Sequence, residues 1–538
     1  MKAQNERHSY KLGVIGNCSY IALVDTKANV SWLCWPRFDS NFVFGSLVGG
    51  EQGGEFSVTP TGGPFTTKQS YLENTNILVT EFECTDGKFE VIDFAPRFFR
   101  SERIHKPLMH FRRIRHVSGR PRIRVRCNPV GDNGKIKPTV ALGSNHIRYL
   151  GLAEPLRLTT NASLTYIVDD REFILSHDLY FNLSWGIELE AALVPTYEDF
   201  YRRTQEYWWK WVERCTLPDI FQKEVIRSAL VLKLHQYEDT GGIIAATTTS
   251  LPEIPGHSRN WDYRFCWLRD SYYSLSAFNS LGHFEEMEKY SHFIENLGFE
   301  NAEHFQPVYR ITSESEMHEI ELDLPGYLDS KPVRIGNQAA LQVQHDAYGQ
   351  ILLTLFYLYS DHRIVRRKER FSSNLIRFLV ERIHSTMEEP DNGLWEFRGR
   401  TNLHCYTHLF HWAGSAAAMR IGQMMGDQEL EKRATKCFNM ASEHMEKYLD
   451  SDRGVYTQVR GVKELDASLL QMVTLGYFAD KPRELARSHV LAIEKELTID
   501  TEGFLLRYRH ADDFGTQETA FLICSYWLVE SLVTVGET

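Results

Sequence analysis

Three segments combine acids with aromatic side chains. Glu396 lies in Asn392-Gly-Leu-Trp-Glu-Phe-Arg398 and Glu518 in Gly515-Thr-Gln-Glu-Thr-Ala-Phe-Leu-Ile-Cys-Ser-Tyr-Trp527. Arg259-Asn-Trp-Asp-Tyr-Arg-Phe-Cys-Trp-Leu-Arg-Asp270 adds Trp261, Asp262, Trp267, Arg269 and Asp270. An indole offers a flat apolar face to a pyranose ring, and Arg and Asp can bind its hydroxyls. Two carboxyls can then serve as acid and base on opposite sides of an acetal.

Each segment has a plainer explanation beside the chemical one. Glu396 follows the turn Pro390-Asp-Asn-Gly393, and Trp395 beside it would desolvate the carboxyl and raise its pKa, as a general acid requires. The same residue could instead be a surface glutamate paired with Arg398 or Arg400. Glu518 is expected in the first turn of a helix over 517–534, whose apolar run Ala520–Val529 should be buried. That position keeps a base ionised, but it is also ordinary compensation of the helix dipole. Asp512 and Asp513 are nearby competitors. Asp270 could be a simple N-cap, although five ionic or indole groups within ten residues point to a polar-ligand site.

Other motifs carry less. His404, His408 and His411 fall at helical spacing with no acid among them, so packing explains them better than zinc. The glycines at 45, 49, 50, 53 and 54 lack the Lys and Ser/Thr of a phosphate loop, and no nucleophile elbow occurs. No metal or organic cofactor is signalled. A net charge of -11, from 60 Lys+Arg and 71 Asp+Glu, disfavours nucleic acid. Arg120, Arg122, Arg124 and Arg126 alternate as the outer face of a strand would. The nine cysteines are scattered singly, which suits reduced thiols. The longest apolar runs reach about half the ~20 residues of a membrane span. With no apolar leader at the N-terminus, the chain reads as cytoplasmic and without a membrane partner.

The elements that must position these groups divide the 538 residues into two domains. Residues 1–196 read as an antiparallel β-sandwich, from short Val/Ile/Phe/Tyr runs separated by turn residues. The hairpin signal Thr85-Asp86-Gly87 lies among them. Residues 197–218 read as a linker helix whose Trp208, Trp209 and Trp211 tie the halves together. Residues 219–538 read as about ten antiparallel helices, suggesting helical hairpins in a ring; a closed six-hairpin barrel needs twelve.

Taken in order, the motifs resemble glycoside hydrolase family 15, the glucoamylase type, in the bacterial and archaeal form that includes trehalases. Ile15–Asp25, Trp32–Ser40, Gly242–Glu253, Arg259–Asp270, Arg334–Asn337, Gly393–Gly399 and Asp512–Trp527 carry the likeness. The resemblance implies a β-sandwich, a linker helix and an (α/α)6 barrel. It implies exo-acting hydrolysis of an α-glucosidic bond with inversion, releasing β-glucose from an oligosaccharide or disaccharide. Glu396 matches the family's general acid and Glu518 its general base, so their carboxyls should stand ~6.5–9.5 Å apart. Arg269 and Asp270 match the pair that holds the terminal glucose, and Trp395 a ring beside it; Trp261, Asp262 and Trp267 fall inside a matching motif. One departure is Trp412, followed by Ala413-Gly-Ser-Ala-Ala-Ala-Met419 where the family commonly has an Asp-Arg pair. A glucoamylase-like α-glucosidase is the first expectation and a trehalase the alternative. An inverting phosphorylase and an inactive sugar-binding protein are more distant ones. Oligomeric state is left open.

Overall fold

The computed structural model describes residues 8–297, 305–363, 373–499 and 502–537. Two compact units emerge. The first is Met1–Phe265 with Ser280–Glu286 and Ile320–Ile335; the second is Cys266–Asn279, Met287–Glu319 and Gly336–Thr538.

The first unit is built on two antiparallel sheets. One has seven strands, ordered Leu12–Gly16, Ile21–Asp25, Val30–Cys34, Glu55–Pro60, Arg122–Asn128 and Phe173–Ile174, with Phe42–Phe44 added beside Val30–Cys34. The other has eight: Thr139–Leu142, His146–Leu150, Leu156–Thr160, Leu179–Trp185, Met109–Gly119, Gly87–Phe94, Leu78–Cys84 and Phe65–Tyr71. Leu78–Cys84 and Gly87–Phe94 pair around Thr85-Asp86, the hairpin expected from the sequence. Alternation decides which side chains enter the core. In Arg122–Asn128 the arginines face outward, while Ile123, Val125 and Cys127 are buried. They join Phe44, Phe56, Phe82, Phe89, Leu158 and Phe181 in one cluster drawn from both sheets. Arg126 pairs with Asp170 at 2.7 Å, so the basic stripe is a surface of local ion pairs. Arg112 does the opposite: it is buried and bonds Asp93 at 2.7 Å, with His110 on the same carboxylate at 2.8 Å.

The helix Leu193–Val212 also belongs to this unit. The described partners of its tryptophans lie there too. Trp209 donates to the Glu73 carbonyl at 3.0 Å, and Trp211 donates to Glu286 at 3.0 Å while stacking on His283.

The second unit is helical: Asp346–Ser360, Ser373–Ser385, Cys405–Met425, Gln428–Glu446, Arg483–Leu497 and Leu522–Val535 lie within it, with Leu268–Ser280 up to Asn279 and Phe284–Glu295 from Met287 onward. Part of the helix expected over 365–387 lies outside the described residues. Helix Asp346–Ser360 meets Cys405–Met425 at a glycine crossing. A Cβ on Gly349 would sit 1.9 Å from the Phe410 carbonyl, and one on Gly414 would sit 2.4 Å from the Gly349 Cα. The small residues after Trp412 therefore form the crossing itself: Ala413, Gly414, Ser415, Ala417 and Ala418 are all buried. Tyr272, Leu409, Phe410, Met445, Tyr456, Leu470, Val490 and Trp527 share its core. No described helix is long and apolar enough to cross a membrane.

Candidate active site

Glu396 occupies a backbone position that its own residue type resists. Its φ is +60°, in the left-handed region. A β-carbon is disfavoured there, and such strain persists only where neighbours over-determine it. They do so here. The Glu396 amide donates to Gly393 O at 3.1 Å, and Gln342 Nε2 donates to Glu396 O at 3.0 Å. Asn392 clamps the loop from within: its Nδ2 donates to Phe397 O at 2.8 Å, and its Oδ1 accepts from Val343 N at 3.0 Å. Gly393, at φ +67°, is forced too, because a Cβ there would lie 2.7 Å from His404 Nε2.

The Glu396 side chain faces Trp267 and Arg269. Trp267 Nε1 donates to Oε1 at 2.6 Å, and Arg269 Nη2 donates to the same oxygen at 3.1 Å. Arg269 also donates to Gln344 Oε1 at 2.8 Å, and Gln344 donates to Gln342 Oε1 at 3.2 Å. Because Gln342 returns to the Glu396 carbonyl, these groups close a ring that fixes both ends of the residue. Asp270 lies 3.3 Å from Arg269. Enclosure raises the pKa of Asp270 against the pull of the Arg269 charge. The helix starts at Leu268, so Asp270 is a first-turn residue and not the N-cap expected from sequence.

From its sequence neighbours, Glu396 could pair at the surface with Arg398 or Arg400. Arg398 instead pairs with Glu319 at 3.1 Å, and Arg400 reaches His510 at 3.1 Å. Trp395 turns away from its neighbour and donates to Asp466 at 3.0 Å. Trp267 is buried, and its indole N–H is committed to the carboxylate, so it presents no open face in this state.

Glu518 sits differently from expectation. The last helix begins at Leu522, and 517–521 form an irregular segment before it, so Glu518 is outside the first turn. Side-chain anchoring explains why. Buried Gln517 donates to Asp512 at 2.7 Å and to the Tyr508 hydroxyl at 3.2 Å, while Arg507 donates to its Oε1. The Phe521 amide bonds Leu505 O at 2.9 Å. Between these anchors Glu518 is exposed. The helix that follows is largely apolar yet buries one face alone, contrary to the buried run expected.

Several contacts bind the segment carrying Glu518 to the loop carrying Glu396. Asp513 accepts from the amides of Arg398 and Gly399 at 2.7 and 2.9 Å, and the Phe521 ring lies 6.4 Å from Trp395.

Trp261 and Asp262 belong to the first unit. Both Asp262 oxygens accept from Arg264, at 2.8 and 2.7 Å, and Arg264 continues to Ser40 O at 2.7 Å. The structure thus brings Trp267, Arg269, Asp270 and Glu396 together, and places Asp262 in an ion pair of its own.

Two residues beneath the loop went unremarked in the sequence. Asp391 is buried, and its carboxylate accepts from the amides of Gly393 and His345 and from Thr407 Oγ1, at 3.0, 2.9 and 2.9 Å. Burial and the nearby charge of Asp346 push its pKa up to about 7. Asp346, also buried, is pushed up to about 6, with Arg269 pulling the other way. A lone Asp in a turn and another at a helix start give no local sign of such burial. The three histidines are packing groups. His408 bonds Tyr448 at 2.6 Å and Met387 O at 2.8 Å, and His411 bonds His345 O at 3.1 Å. No metal-holding cluster occurs among the described residues.

Comparison with known proteins adds family and fold. The family model described as "Glycosyl hydrolases family 15" matches residues 219–536, and "Trehalase-like, N-terminal" matches residues 3–175. A protein named trehalase from Thermoplasma volcanium is 31% identical, covering 97% of this chain and 84% of its own. Another of that name from Mycobacterium tuberculosis is 33% identical, covering 96% and 80%. A bacterial glucoamylase solved with acarbose superposes with a TM-score of 0.65 over 98% of this chain and 86% of its own, at 14% identity. The fold is accordingly a β-sandwich followed by an (α/α)6 barrel.

Proposed function

Because the chain belongs to glycosyl hydrolase family 15, we propose that it hydrolyses trehalose with inversion, releasing one glucose as the β-anomer. Glu396 donates a proton to the departing glycosidic oxygen, and Glu518 takes one from water on the opposite face of the ring. Arg269 and Asp270 hold the hydroxyls of the non-reducing glucose, and Trp395 borders that pocket. Trp267 aims the acid: its indole N–H fixes which oxygen of Glu396 is held back and which is presented.

The substrate reading rests on one observation, the likeness along nearly the whole chain to proteins named trehalase. It favours trehalose over the maltooligosaccharides of the glucoamylase reading that the motifs suggest first. The chemistry itself is supported by the ring of hydrogen bonds that holds Glu396 against Arg269.

The test is to incubate the purified chain with trehalose, maltose and isomaltose, with and without inorganic phosphate, and to follow the anomers by proton NMR. In trehalose both C1 atoms are α-linked. Inversion therefore yields one β-glucose from the attacked ring and one α-glucose from the departing ring, before mutarotation. Early α and β signals of equal size from trehalose, independent of phosphate, bear the reading out. Faster release from maltose restores the glucoamylase reading, glucose phosphate identifies a phosphorylase, and release of α-glucose alone excludes inversion.

A further inference from the structure

The last helix of the second unit, Leu522–Val535, carries an uncovered apolar stripe. Leu522, Tyr526, Val529 and Val533 are 59%, 71%, 57% and 66% exposed, and Phe521 at the helix entrance is 46% exposed. Their spacing of four, three and four places all four on one side of the helix. The opposite side, Cys524, Trp527, Leu528, Ser531 and Val535, is buried in the core. A soluble surface rarely leaves a contiguous patch of this kind without a use.

Three features single out the occupant. The stripe is symmetric about its midpoint, between Trp527 and Leu528. An antiparallel second copy would therefore set Leu522 against Val533 and Tyr526 against Val529, and the reverse on the other side, as a two-fold interface requires. The patch is large enough: about 500 Å² of side chain per copy gives roughly 1,000 Å² for a pair, the level a specific interface must clear. The charge pattern disfavours a membrane. From Ala511 to Thr538 the sequence contains no Lys or Arg, whereas helices lying on anionic lipid carry basic residues on their polar face. Glu530 flanks the stripe and gives it a polar rim.

We infer that this face is the contact between two copies of the chain, paired through antiparallel Leu522–Val535 helices. Sedimentation velocity of the full chain at micromolar concentration should give twice the chain mass. Val529→Lys, placing a charge opposite Tyr526 of the other copy, should raise the dissociation constant at least about a hundredfold, with an unchanged melting curve and unchanged hydrolysis per chain. Mixing separate Leu522→Cys and Val533→Cys chains under mild oxidation should give a mixed disulfide dimer that neither gives alone. A wild-type monomer overturns the inference, as does a dimer that survives Val529→Lys. Leu522→Cys chains cross-linking to one another in preference to the mixed pair overturn the antiparallel arrangement.

Discussion

The loop carrying Glu396 and the segment carrying Glu518 are held by opposite strategies. The first is over-determined: a left-handed backbone, clamps from Asn392 and Gln342, and a side chain gripped by Trp267 and Arg269. The second is pinned at its flanks, through Gln517 and Phe521, and leaves Glu518 in solvent. Under the proposed mechanism the contrast has a physical meaning. An acid must present its proton along a fixed line to one oxygen, whereas a base acts on a water that can adjust its own position. The two also differ in what lies beneath them. The first rests on buried Asp391, Asp346 and His404; the second rests on a neutral amide, Gln517, and Arg507.

The strongest test of this contrast removes each carboxylate in turn. Glu396→Gln and Glu518→Gln should each lower kcat by about 10³-fold or more while leaving the melting temperature nearly unchanged. α-Glucosyl fluoride separates the roles, because fluoride leaves without a proton. It should be turned over by Glu396→Gln and remain resistant with Glu518→Gln. The reverse pattern would exchange the two assignments.

A smaller effect is expected from the groups that aim each carboxyl. Trp267→Phe keeps the ring and deletes the donor, so kcat should fall about 10- to 100-fold with KM little changed. Gln517→Leu, acting on the loosely held segment, should cost less than Trp267→Phe. Steady-state kinetics on both variants decides this, and equal losses would erase the distinction between a fixed and a flank-pinned group.

Backbone strain offers a third handle. Gly393→Ala adds a methyl at φ +67° and 2.7 Å from His404. Stability should fall by about 1–3 kcal/mol, read as a lower midpoint in urea, with activity falling further than stability explains. Gly515→Ala, at φ +100° with open space around its Cβ, should lower stability with no added loss of activity.

The subtlest expectation concerns pH. Burial lowers the pKa of His404, His408 and His489 to about 4, against about 6.5 when unfolded. The unfolded chain therefore binds more protons between those values, so this stabilisation is complete above about pH 6.5 and is lost on acidification toward 4. Asp391, raised to about 7, has the opposite sign. Its contribution is present below about pH 4 and disappears as pH rises to 7. The two partly cancel in the same window. Asp391→Asn should then make the fall of melting temperature from pH 6.5 to 4 steeper than in the wild type. A shallower fall would show that Asp391 is not the counterweight.

Some of this was legible along the chain. Alternation in Arg122–Asn128 marked its inward and outward faces, and Thr85-Asp86 marked a hairpin, because both depend on neighbours within a few residues. The start of the last helix was misread for the converse reason. Apolar periodicity extends back past Phe521, but Gln517 is captured by Arg507, Tyr508 and Asp512, and Phe521 by Leu505. Those competing bonds have no trace in the helical pattern. The burial of Ala520–Val529 was overestimated likewise, since composition says a helix is apolar without saying which faces meet a partner.

The sequence by itself determined the chemistry on offer: acids, indoles and arginines in an ordered set of motifs, and the local periods that make strands and helices. Only tertiary structure decided that Trp267 and Arg269 grip Glu396 across some 130 residues of chain, that Asp391 lies buried beneath that loop, and that Asp513 holds the amides of Arg398 and Gly399. Local propensity acts over a few residues, whereas hydrogen bonds and desolvation depend on what the folded chain brings within about 3 Å.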